Sequence, residues 1–88
     1  MKTIWKFPLR VDDEQMISMP DGAALLYVQT QGEVPCLWAV VDSEAPRVDR
    51  RILMRGTGHP LQGNEGRSLG GFQLWGGKLV YHAFEAKT

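Results

Sequence analysis

The amino-acid sequence predicts an all-β fold, either a small antiparallel β-sandwich or a partly open barrel of about seven short strands. Apolar residues recur mainly with a period of two, which is the spacing of a half-buried strand and not of a helix. Ten glycines and five prolines punctuate these alternating segments, and such residues favour turns. At 88 residues the chain is long enough for one modest hydrophobic core, so we expect residues 1–88 to form a single β domain.

The first predicted strand spans residues 2–9. Trp5 and Phe7 share one of its faces and Lys6 points to the other, as expected of a strand with one buried face. Pro8 removes a backbone donor, which favours a position at the edge of a sheet.

Four more strands are predicted before the longest loop. They span residues 15–19, 23–31, 34–41 and 50–55. Strict alternation in the second of these places Leu25 and Tyr27 on the same face. The third is apolar on both faces, which is typical of a central strand, and we expect its Trp38 to lie in the core. Residues 42–49 are predicted to form a polar loop with room for one helical turn.

The last two strands are predicted to form a hairpin over residues 69–84. Gly76 and Gly77 make a two-residue connection that is compatible with a type I′ turn. The register counted outward from them pairs Leu74 with Leu79, Phe72 with Tyr81, Gly71 with His82, and Leu69 with Phe84. His82 then lies across from a residue without a side chain, which leaves space for another strand, a partner or a ligand.

Composition and charge argue against several functional classes. Ten Lys and Arg residues balance ten Asp and Glu residues, so long nucleic acid is not an expected partner. The longest nearly uncharged stretch, residues 34–41, is far too short to span a membrane, and Lys6 and Pro8 stand where a signal peptide would need an apolar run. One cysteine, Cys36, excludes an internal disulfide and a cysteine-based zinc cluster. The prediction is a cytosolic protein with a reduced thiol, prone to form a homo-oligomer because its net charge is zero.

Catalytic and metal-binding constellations are scarce. A nucleophile set would need Cys36 together with His59 or His82, but Cys36 lies in the most apolar strand, where a thiol usually packs without reacting. The two histidines show no metal-ligand spacing. We therefore predict no catalytic residue, no metal site and no cofactor.

The loop from Gly56 to Gly66 is the strongest candidate for a functional segment. It follows Arg55, contains four glycines and one proline, and is long for so small a domain. Its Gly56-Thr57-Gly58-His59 start has the composition of an anion-binding nest, although it matches neither a Walker nor a dinucleotide motif. The structural alternative is that these glycines only supply positive φ angles in a wide turn.

Trp75, beside the glycine turn and Lys78, has two interpretations as well. Its ring packs in the core or at the turn, which is the preferred interpretation, or it stacks on a base or docks into a partner. The candidate ligand- or partner-binding residues are Arg55, Thr57, Gly58, His59, Trp75, Lys78 and His82.

Five segments together carry a resemblance to a known family. They are residues 1–9, 34–39, 56–60, 71–74 and 76–82. Over nearly the whole chain the sequence resembles a family of short proteins encoded by bacteriophages and prophages, known as a domain of unknown function. The resemblance brings no enzyme activity, cofactor or catalytic residue.

What the resemblance implies is a biological setting. Small phage proteins without catalytic groups commonly act by binding, so we expect a non-enzymatic accessory protein in the host cytoplasm. Its expected role is to counteract a bacterial defence by binding a host defence protein or a small nucleotide signal. The alternative is an oligomeric structural or assembly module of the phage. A small enzyme is least favoured, because no set of acid, base and nucleophile is present.

Overall fold

The computed structural model describes residues 1–87, which form seven β-strands and no helix. The strands are β1 (Lys2–Pro8), β2 (Glu14–Pro20), β3 (Ala24–Gln31), β4 (Val34–Asp42), β5 (Arg47–Gly56), β6 (Glu65–Leu74) and β7 (Leu79–Ala86). A three-stranded sheet in the order β1-β4-β3 packs on a four-stranded sheet in the order β2-β5-β7-β6, with every pair antiparallel. The prediction of an all-β fold is confirmed, and the architecture is the sandwich.

The hydrophobic core lies between the two sheets. Its most deeply buried side chains come from both sheets and include Met19, Leu25, Leu37, Ile52 and Met54. Burying a side chain of this size contributes about 1.5–3 kcal/mol to stability. No helix of a length and hydropathy suited to crossing a bilayer occurs in residues 1–87.

The predicted positions of β1 and β4 are confirmed, since β1 is an edge strand and β4 is central. The expected burial of Trp38 in the core is wrong. Both faces of β4 are apolar, so the sequence does not indicate which face lies against the core. In the structure Leu37 points inward and Trp38 points outward. The Trp38 ring stacks on Tyr27 on the outer surface, with the ring centroids 5.6 Å apart.

The outward position of Tyr27 follows from an irregularity in β3. The register with β4 shifts between Leu25 and Tyr27, so that Leu25 and Val28 both face the core. The prediction that Leu25 and Tyr27 share a face is therefore wrong. A bulge adds one residue to a strand and reverses the alternation beyond it.

Two loop predictions also change. The connection before β5 is short and has no helical turn, because β5 already begins at Arg47. The C-terminal turn spans residues 75–78 instead of the two glycines alone, yet this longer turn has the same centre, so three of the four predicted pairs are confirmed. The fourth is wrong, because Phe84 pairs with Ser68 where the register of β6 shifts before Gly70.

Candidate ligand-binding site

One end of the four-stranded sheet carries a tight turn that follows β5. The His59 N–H donates to the Gly56 carbonyl at 3.0 Å, and Gly58 takes a positive φ of 85°. The Thr57 N–H donates to the Val80 carbonyl of β7 at 3.1 Å. These bonds close the turn and attach it to the neighbouring strand, so the backbone that carries His59 has a defined position.

The side chain of His59 folds back over Gly56. A β-carbon at position 56 would stand 2.8 Å from two atoms of the imidazole ring, closer than real contacts allow. Only a glycine leaves room for the ring in this position. A glycine at position 56 followed by a histidine three residues later therefore places the imidazole at the end of β5.

A pocket of about 220 Å³ opens between this turn and the C-terminal hairpin. Its lining residues are Gly56, Thr57, His59, Lys78, Leu79, Val80 and Tyr81. Lys78 and His59 are among these lining residues, and none of the lining residues carries a carboxylate. Tyr81 forms part of the wall while its ring stacks on Phe72, with the centroids 5.7 Å apart. The pocket is thus a concave surface with one lysine and no acidic residue, which suits a small anion.

A buried ion pair supports the rest of the loop. Arg55 Nε donates to Glu65 Oε2 at 2.7 Å, with the two side chains only 7% and 6% exposed. The carboxylate of Glu65 also accepts the N–H groups of Gln62 and Gly63, each at 3.0 Å. Those contacts lower the pKa of Glu65 to about 2, the Gln62 N–H being the largest cause and the Arg55 guanidinium a further one. One carboxylate therefore ties the second half of the loop to β5.

His82 acts on the same loop from β7. Its Nε2 lies 2.8 Å from the Thr57 hydroxyl, and its pairing opposite Gly71 confirms the predicted register. A β-carbon on Gly71 would stand 3.5 Å from the imidazole Nδ1, so the small residue keeps that side of the ring open. His82 thereby positions Thr57 at the rim of the pocket.

The whole chain matches a known family. A family model described as "Domain of unknown function (DUF7352)" covers residues 1–88. The chain belongs to this family. The family description assigns no activity, and searches of curated proteins and of solved structures each returned no match. The function of this DUF7352 domain has to be argued from its own residues.

The structure brings together three of the candidate residues of this DUF7352 domain. Thr57, His59 and Lys78 line the pocket, and Gly58 lies in the turn that carries two of them.

Arg55 is placed differently from the other candidates. Its guanidinium has four of its five N–H donors engaged inside the protein, by Glu65, by Asn64 and by the carbonyls of Asp13 and Met54. Its main role in the structure is therefore to hold the loop.

Trp75 lies at the hairpin turn with 67% of its surface exposed, so its ring does not lie in the core, and packing at the turn stays a prediction. Its backbone takes a positive φ of 54°, which is uncommon for a bulky residue. It neighbours the pocket through Lys78, whose N–H donates to the Trp75 carbonyl at 3.3 Å.

Two functional residues were missed by sequence reasoning. Tyr81 was assigned only to the apolar face of the hairpin, but the pairing of β5 with β7 sets it opposite Gly56 at the pocket.

Glu65 is not among the predicted site residues, although its carboxylate binds the Arg55 guanidinium and the N–H groups of Gln62 and Gly63. A signal for Glu65 existed in the sequence. It is a lone acid that directly follows three glycine and amide residues, Gln62 to Asn64, and a carboxylate is a natural acceptor for their N–H groups.

The other chemical groups of the chain lie apart from this pocket. Cys36 is buried on β4 of the three-stranded sheet, whereas His82 belongs to β7 of the other sheet. Residues 1–87 hold no group of three or more His, Cys, Asp or Glu side chains arranged for a metal ion.

Proposed function

We propose that this DUF7352 domain is a non-enzymatic binding protein that holds a small anionic ligand in the pocket between His59 and Lys78. The observation that carries the proposal is the composition of the pocket wall, with two nitrogen bases and no carboxylate in a chain whose net charge is zero. Charges of one sign gathered in a concave surface raise the local concentration of an oppositely charged ligand.

The hydrogen-bonding groups of the wall match an oxyanion. The Lys78 ammonium carries three N–H donors and the His59 imidazole carries a further N–H donor, and both residues line the pocket. Hydrogen bonds in which one partner is charged are about twice as strong as neutral ones. Phosphate, which carries several acceptor oxygens, fits this set better than a monovalent ion does.

The same wall supports binding without catalysis. A nucleophile needs an adjacent base, and that base needs a group that orients it. Thr57 Oγ1 lies 2.8 Å from His82 Nε2, but within residues 1–87 no carboxylate or other group forms a hydrogen bond with the second ring nitrogen of His82 to orient it. The groups present serve to attract and position an anion.

The resemblance to phage-encoded proteins supplies a setting for such a binding protein. In the host cytoplasm it would counteract a bacterial defence, by sequestering a small anionic signal or by occupying a host protein. The match to a domain of unknown function tests neither the phage origin nor this role. Both stay predictions.

Thermal unfolding in the presence of inorganic phosphate tests the proposal. A ligand that binds only the native state stabilises it by RT ln(1 + [L]/Kd), which is about 2.7 kcal/mol at one hundred times Kd. We expect phosphate to raise the Tm of the native chain and of Lys2→Met, whose lysine is exposed on the other sheet. Lys78→Met should remove the shift. A Tm that phosphate leaves unchanged in the native chain, or an equal shift in Lys78→Met, contradicts the proposal.

A second candidate function is self-association through the outer face of the three-stranded sheet. Ile4 is 58% exposed there and Tyr27 48%, beside the partly exposed Trp38. A second copy related by a two-fold axis along β4 would lay β1 over β3. Lys6 would then meet Tyr27 and the uncharged Gln31, so no like charges would oppose each other.

Sedimentation at high protein concentration distinguishes this candidate. The native chain should sediment as a dimer and Ile4→Lys as a monomer. Val11→Lys serves as the control, because Val11 is also exposed and apolar but lies in the connection between β1 and β2. A native chain that stays monomeric, or equal dissociation of both variants, would exclude the outer face as an interface.

A further inference from the structure

A second concavity lies on the other side of His59. It measures about 180 Å³ and is lined by Asp13, Met54, Arg55, His59, Pro60 and Gln62. His59 also lines the first pocket, so its imidazole forms the boundary between the two spaces. A ligand that reaches past this ring would occupy both.

The two spaces differ in charge. The first is lined by Lys78 and His59 without a carboxylate. In the second, Asp13 contributes a negative charge, and the positive charge of Arg55 is already compensated by Glu65 at 2.7 Å. The anionic part of a ligand is therefore favoured in the first space, and an uncharged part in the second.

The lining of the second space suits a polar heterocycle. Asp13 and Gln62 can exchange hydrogen bonds with the edge of such a ring, because a carboxylate accepts and an amide both donates and accepts. The exposed Pro60 supplies apolar surface next to these groups, whereas the Met54 side chain is buried in the core.

Size favours one ligand across both spaces. Pockets that enclose most of a drug-sized molecule usually measure about 300 Å³ or more. Neither space reaches that volume alone, but the two exceed it together. A free phosphate ion would fill only the first and leave the second without a function.

We propose that the ligand of this domain is a mononucleotide, with its phosphate beside Lys78 and its base beside Asp13 and Gln62. This inference rests on the proposed function, because it takes the same cationic pocket as the phosphate site. It adds the second space, and it gives His59 a place between the two halves of the ligand.

Isothermal titration calorimetry on the native chain tests the inference. The probes are inorganic phosphate, ribose 5-phosphate and each of the four common ribonucleoside 5′-monophosphates. At least one nucleotide should bind at least about tenfold more tightly than either base-free probe, which is one decade in Kd. Gln62→Ala and Asp13→Asn should lose most of that gain, whereas Asp12→Asn, a matched control outside the lining, should keep it. Both test variants keep the backbone groups that bond Glu65 and Arg55.

The outcomes separate the two proposals. If phosphate binds and every nucleotide binds no more tightly, the mononucleotide inference is wrong and the proposed function stands. If neither phosphate nor any nucleotide binds, both are wrong. If a nucleotide gains affinity that Gln62→Ala and Asp13→Asn leave unchanged, the base does not occupy the second space and the inference is overturned.

Discussion

The imidazole of His59 covers Gly56 so closely that a β-carbon on Gly56 would stand 2.8 Å from its Cε1 and Nδ1 atoms. Gly56→Ala must therefore displace the ring. Because His59 is exposed and its side chain can rotate away, we expect the free energy of unfolding to change by less than about 1 kcal/mol. The affinity for phosphate should fall as far as in His59→Ala. Calorimetry together with urea unfolding measures both quantities, and an unchanged affinity would show that the position of the ring does not matter.

The same replacement at Gly66 should have the opposite consequence. A β-carbon there would stand 2.5 Å from the Glu85 carbonyl oxygen, which belongs to the backbone of β7 and cannot rotate away. Overpacking of this kind costs about 1–3 kcal/mol. Urea unfolding of Gly66→Ala should show that loss, with Gly56→Ala as the matched comparison. Equal stability of the two variants would contradict the predicted difference between a side-chain and a backbone obstacle.

Acid should weaken the fold through Glu65. Its pKa in the folded chain is about 2, below its ordinary value of 4.5. The contribution of the ionised carboxylate is therefore complete above about pH 4.5 and is lost as the pH falls toward 2. Glu65→Gln should lower stability at neutral pH and flatten this part of the pH profile.

The control variant for Glu65→Gln is Glu14→Gln. The pKa of Glu14 is also lowered, chiefly by a hydrogen bond from Arg51, but that pair is largely exposed. Exposed pairs contribute little, so the profile should change much less. Urea midpoints between pH 2 and 6 give the comparison. If the urea midpoint of Glu65→Gln still fell steeply between pH 6 and 2, Glu65 would not be the group through which acid weakens the fold.

Trp75 should be replaceable without loss of stability. Its positive φ strains a residue with a β-carbon, and its exposed ring buries little surface. Asparagine tolerates this backbone conformation better, so Trp75→Asn should leave stability unchanged or raise it by up to about 1 kcal/mol. A clear loss in thermal unfolding would show that the ring packs on the hairpin after all.

Much of the fold could be predicted because strands and hairpins are encoded locally. The alternation around Trp5 and Phe7 identified β1, and the glycines after Trp75 set the centre of the hairpin, from which three pairs followed. The bulge at Leu25 and Tyr27 was not predictable, because nothing in the sequence of β3 itself marks it. The irregularity is a shift in the register between β3 and β4. Trp38 was misplaced for a related reason, since a strand that is apolar on both sides does not indicate which side faces the other sheet.

The candidate site was predictable to the extent that loop chemistry is visible in the sequence. The glycine-rich turn identified Thr57 and His59, and the hairpin turn identified Lys78. Their meeting in one pocket was not predictable, because it requires the long-range pairing of β5 with β7. That pairing also brings Tyr81 to the wall, and no short-range pattern indicates it.

The most direct test of the central claim is a two-dimensional amide NMR titration of the native chain with inorganic phosphate. If the pocket holds an anion, the amide resonances of Thr57, Gly58, His59 and Lys78 should shift and saturate together. The amides of β1, in the other sheet, should stay in place. Saturating shifts confined to residues 56–59 and 78–81 are the predicted result. The absence of any saturable shift in those two segments would contradict the assignment of this pocket as an anion site.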